Sequence, residues 1–233
     1  MISINYSNES AKRMNKVPCS LAVAAVLAVG LPTVASAQFS LPSIPGVTKG
    51  GSAAPAAELG AEQDGLVRSY VAANKDVLTA NSKMAEALGL KQEAAKLQET
   101  SDALTQGSTK DNLDSANTAI TTSTDAVAAE MAKKPVLDAQ SKAIFGAGLL
   151  SLVSGVNKYV GVGKNVKDMG THLSGASPLQ LPKLQSAVFI VSKFPTSMSS
   201  VSTALSTAID FAKNQGIEVP GDATAALANV KGL

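Results

Sequence analysis

The run AIFGAGLLSLVSGVN, residues 143–157, carries no charged side chain. Around it Leu137, Ile144, Leu149, Leu152, Val156 and Val160 recur close to the three- and four-residue steps of one helix face. The segment from Pro135 to Asp168 therefore predicts a long apolar helix, central to the fold, with the rest of the chain organised around it. Glycines at 146, 148 and 155, then at 161 and 163, run against that reading. Each costs about 1 kcal/mol relative to alanine inside a helix. Close approach of another helix backbone, an apolar ligand or a lipid surface would offset the cost. Beyond it, NKYVGVGKNV fits a continued helix and a glycine-centred break or hairpin equally well.

Working outward, Glu58 to Leu88 predicts a second long helix. Leu66, Tyr70, Ala73, Val77, Ala80, Met84 and Ala87 step by four and three without interruption. Large residues alternating with alanine on this seam suit a closely packed antiparallel neighbour. Leu90, Ala94, Leu97, Ser101 and Leu104 mark a shorter helix that stops at Gly107. Ser108 and Asp111 suit the start of the next, whose apolar positions are Leu113, Ala116, Ile120, Val127 and Met131. Past the centre, GTHLSGASPLQLP (170–182) reads as a loop. Pro182 then opens a helix through Leu184, Val188, Val191 and Phe194, which Pro195 ends or kinks. Met198, Val201, Leu205, Ala208 and Ala212 resume helical steps up to Gly216, and Asp222 caps a last helix to Val230. Alternating strand patterns are weak throughout. The expected fold is all-α, a single bundle of about six helices over residues 58–233.

The N-terminus reads as a signal for export. Lys12, Arg13 and Lys16 precede an apolar run from Leu21 to Leu31, broken by Pro32 and followed by Ala35-Ser36-Ala37. This small-x-small pattern places cleavage before Gln38 and makes residues 1–37 a signal peptide, with translation starting at Met1 or Met14. The apolar run falls short of the roughly 20 residues of a membrane span. Residues 38–57, rich in Pro and Gly, read as an extended linker. Localisation is expected to be the periplasm or the extracellular space. Cys19 leaves with the signal, so the mature chain has no cysteine for a disulfide, thiol nucleophile or metal site. The signal also removes three basic residues and one acidic residue, so the net charge of +2 falls to zero. A neutral chain gives no long-range attraction to nucleic acid.

The search for chemistry ends in exclusions. One histidine, His172, stands in the turn-rich stretch, and no paired His or Cys spacing suggests a metal. Asp168 lies one helical turn before it, and Ser174 and Ser177 are near in sequence, but G-x-S-x-G is absent. His172 therefore reads as an exposed loop residue. Gly161-x-Gly163-Lys164 lacks the earlier glycine and the Ser or Thr of a phosphate loop, and Gly146-x-Gly148 follows no strand. No cofactor, no metal and no catalytic residue is expected, and the chain is read as non-enzymatic.

Two binding readings remain. Gly148 and Gly155, seven apart, share a helix face and suit a flat stripe against Ala73, Ala80 and Ala87. They also suit an apolar groove completed by the uncharged helix at 196–207, where eight of twelve residues are Ser or Thr. In the second case Phe145, Gly148, Leu149, Leu152, Gly155, Phe189 and Val201 hold an apolar or lipid-like ligand. The alternative is a helical scaffold that pairs with itself or with an envelope protein through the Leu66–Ala87 seam. The 15-residue uncharged run is too short for an integral span in the mature chain.

Overall fold

The computed structural model describes residues 56–105 and 107–230, and the expected signal, its cleavage site and nearly all of the linker lie outside them. Six α-helices follow in order: α1 Ala56–Ala87, α2 Lys91–Ala103, α3 Lys110–Ala132, α4 Ala139–Gly175, α5 Gln185–Gln215 and α6 Ala223–Val230. A short 3-10 helix, Leu181–Lys183, precedes α5, and no strand occurs among the described residues. The all-α bundle expected from the helical spacing is the fold.

The centre is α1 rather than α4. From Leu66 to Leu88 only Arg68 and Glu86 are exposed, and α2, α3, α4 and α5 all pack on α1. Every residue of its predicted seam is buried, so the seam is used inside the bundle. By contrast α4 keeps a solvent face bearing Ser154, Asn157, Lys158, Lys164, Asn165 and Asp168. By length and composition alone α4 would also pass for a membrane span; most of its large apolar residues face the core, while Leu150 is exposed.

Where α4 meets α1 its glycines explain themselves. A Cβ on Gly148 would sit 2.9 Å from Met84 Cγ and 3.1 Å from the Ala80 carbonyl oxygen. One on Gly155 would sit 2.8 Å from Val77 Cγ2 and 3.3 Å from the Val77 amide nitrogen. The two helices run antiparallel with backbone nearly against side-chain base, and the gain in packing offsets the helical cost of glycine. At the rim Asp76 accepts from Ser154 Oγ at 2.6 Å and pairs with Lys158 at 2.8 Å.

Boundaries differ from the expected ones at α2, α3, α4 and α5: α4 begins at Ala139, capped by Asp138, rather than at Pro135, and in its C-terminal half and in α5 packing overrides local propensity. The α4 helix runs unbroken past Gly161 and Gly163 to Gly175, since Val162, Val166 and Met169 are all buried on its inner face. His172 therefore lies on the last turns of a helix and not in a loop. Likewise α5 continues through Pro195, which is exposed, while Phe194, Ser197, Met198 and Val201 around it are buried. Phe194 packs on Tyr159 with ring centroids 6.0 Å apart. Finally, α2 ends at Ala103, short of Gly107, and α3 is capped by Thr109, whose side chain and that of Asn112 satisfy each other's backbone N–H groups.

Buried polar groups link α1 to each neighbour. Ser82 Oγ donates to the Ala94 carbonyl of α2 at 2.8 Å. Asn81 Nδ2 donates to Ser123 Oγ and Thr124 Oγ1 of α3 at 2.8 and 3.0 Å. Tyr159 of α4 donates to Asn74 Oδ1. The Tyr70 hydroxyl and Ser197 Oγ of α5 both reach Asn117 Oδ1 of α3, at 3.2 and 2.9 Å. Tyr70 and Tyr159 meet edge to face, centroids 5.6 Å apart. Burial pushes Tyr159 well above the ordinary tyrosine range and raises Tyr70, so both hydroxyls stay protonated and donate.

Two predictions follow from this packing. Gly155→Ala should lower stability, because overpacking costs about 1–3 kcal/mol and exceeds the roughly 1 kcal/mol gained in helix propensity. Gly161→Ala, where a Cβ meets nothing within 4 Å, should raise it. Urea unfolding of the two variants checks the opposite signs. Tyr159→Phe strips Asn74 of its buried donor and should cost about 1–3 kcal/mol in the same assay. A neutral result would mean that the pair does not hold α4 to α1.

Candidate functional site

The seven residues expected around a ligand do not share a cavity. Phe145, Leu149, Leu152 and Val201 are fully buried, and Phe145 packs on Phe211 with centroids 5.0 Å apart. Gly148 and Gly155 face the α1 backbone, where even a methyl group lacks room. These six fill helix–helix seams. Only Phe189 borders one of the larger surface grooves. The Ser and Thr residues of 196–207 include several that bond back along their own helix: Ser197 Oγ to Lys193 O, Thr203 Oγ1 to Ser199 O and Thr207 Oγ1 to Thr203 O.

The groove beside Phe189 has a volume of about 770 Å³. That falls within the usual range of small-molecule sites, roughly 300–1,000 Å³. One wall is α5, which presents Gln185, Val188, Phe189, Ser192 and Lys193 at the spacing of a single helix face. The opposite wall is Lys110 and Asp114 on the first turns of α3, held in place by the Thr109–Asn112 cap. Pro178, Leu181 and Pro182 from the α4–α5 connection close one end.

This end of the bundle leaves large apolar side chains in water. Leu179 is 86% exposed, Val188 42% and Leu181 39%. Scattered exposed apolar residues are ordinary, but Leu181 and Val188 both line one groove and Leu179 is exposed on the same connection. A smaller polar hollow of about 340 Å³ adjoins it, sharing Lys110, Pro182 and Gln185 and adding Gln63, Asp64, Ser108, Thr109 and Lys183. Lys110 lies 3.6 Å from Asp111, and Lys193 makes no ion pair among the described residues. The site therefore joins an apolar trough to a polar hollow, with Lys110, Lys183 and Lys193 interspersed with Asp64, Asp111 and Asp114 along the edges.

The spacing runs Val188 in one helical series with Leu184, Val191 and Phe194. The helix instead turns Leu184, Ala187 and Phe194 inward and leaves Val188 out. Leu179 and Leu181 stood in a stretch read as turns, and two leucines between prolines were the one available signal.

His172 has no nucleophile beside it. Its Nδ1 lies 2.7 Å from Glu62 Oε2, and Ser174 Oγ donates to its own helix at Gly170 O. Among the described residues no group of three or more His, Cys, Asp or Glu side chains is placed to hold a metal ion. No protein-family model matches this chain, and comparison with curated proteins and with solved structures gave no match.

Proposed function

We propose that this chain is an exported, non-enzymatic helical binding protein that carries an amphiphile with an anionic head, of the fatty-acid type, in the groove between α3 and α5. The observation that carries the reading is an exposed apolar trough with Lys193 on its edge, adjoining a polar hollow. An alkyl chain along Leu181, Val188 and Phe189 removes apolar surface from water at about 25 cal/mol per Å². Lys193, which makes no ion pair among the described residues, supplies the complementary charge for a carboxylate or phosphate, whereas Lys110 is paired with Asp111, and Asp64 and Asp114 line the same walls. Export rests on the charged, apolar and small-residue order of residues 12–37. The scaffold alternative drew on the Leu66–Ala87 seam, which the bundle itself buries.

Fluorescence titration with cis-parinaric acid at neutral pH tests the proposal. Val188→Glu puts a charge in the trough and should weaken binding by about tenfold or more, the equivalent of 1.4 kcal/mol. Val136→Glu, at an exposed position outside the groove, should leave affinity unchanged. Equal affinity in both variants, or no binding by the wild type, would contradict the reading.

A further inference from the structure

Consecutive residues of α1 hold both flanks of the apolar connection 176–184. On the α4 side Glu62 Oε2 meets His172 Nδ1 at 2.7 Å, four residues before the connection begins. On the α5 side the amide of Gln63 makes two bonds: Nε2 donates to the Lys183 carbonyl at 3.2 Å, and Oε1 accepts from the Ala187 N–H at 3.2 Å. The second bond replaces a missing cap. Leu184, at the N-cap of α5, offers no side-chain bond, so a side chain from α1 satisfies one of the free N–H groups of the first turn. Between these two points Pro178, Leu181 and Pro182 carry the end wall of the groove, and Leu179 beside them is exposed.

We propose that Glu62 and Gln63 form a paired latch on this connection, and that loss of the His172 proton removes the charge from its α4 side and loosens it, so that the groove is best formed in acid. The coupling to the groove rests on the binding reading above, whereas the latch does not. The charged groups that act on His172 are Glu62 and Glu58 of α1 and Asp168 one turn back on α4, all carboxylates. The hydrogen bond to Glu62, then its charge, holds the imidazole above its ordinary value of 6.5. A base whose folded value is raised stabilises the folded form fully below its ordinary value, and that contribution is lost as pH rises through the raised value. The latch is thus closed in acid and loosens above neutrality. A fixed end wall binds better than a mobile one because less ordering remains to be done on binding. The gain in affinity cannot exceed the latch's own bias.

Hydrogen exchange of the full chain, followed by NMR, tests the latch directly. The ratio of wild-type to His172→Gln protection cancels the intrinsic pH dependence of exchange. For amides from Leu173 to Leu181 it should fall from roughly two- to fivefold at about pH 5 to no difference at about pH 9. Glu62→Gln should behave as His172→Gln does. A ratio independent of pH would overturn the latch. Binding of anilinonaphthalene sulfonate, whose charge does not titrate in this range, should weaken over the same interval in the wild type only. A latch that titrates without changing this binding would overturn the coupling, and no binding at either pH would count against the groove itself.

Discussion

Gly148 and Gly155 let α4 lie against the backbone of α1, and much of the remaining architecture follows from that approach. With α4 this close on one side, α2, α3 and α5 cover the others, and α1 from Leu66 onward becomes the interior of the domain. Tryptophan is absent and aromatics make up only 3% of the sequence, so few bulky side chains are there to hold helices apart. Alanine on α1 and glycine on α4 permit short interaxial distances, and dispersion between closely spaced backbones does what larger side chains do in other cores.

Close packing of small residues leaves a problem of uniqueness, since one alanine seam resembles another. Asn74, Asn81, Ser82 and Tyr70 answer it. Each buries a polar group on α1 whose partner stands on a particular neighbour, so sliding a helix by one turn strands a donor or an acceptor without water. An unmade buried hydrogen bond costs about 1–3 kcal/mol, enough to separate one register from the next.

Much of this was legible in the residues. The unbroken seam from Leu66 to Ala87 and the inner positions of α3 could be read from spacing alone, and each of those residues is buried. The rank of the helices could not. Asn74, Asn81 and Ser82 look like a solvated face, so α1 read as amphipathic although it is enclosed. The partners of the two asparagines lie far off in sequence: Asn74 meets Tyr159 across 85 residues and Asn81 meets Ser123 across 42. Helix breaks were overestimated at Gly161, Gly163 and Pro195, where Val162, Val166 and Met198 gain more from burial than the backbone loses. The groove was hidden for a different reason. Helical spacing gives the set of residues that share a face, but Val188 fits the edge of either face, and only the position of α3 decides which side is covered.

The groove between α3 and α5 as the ligand site, in place of the interior around Phe145 and Leu152, is the central claim. Methyl NMR of the Leu and Val side chains during titration with dodecyl phosphate tests it most directly. Shifts centred on Leu181 and Val188 are the expected result. Shifts centred on Leu149, Leu152 and Val156, or none at any methyl, would contradict it.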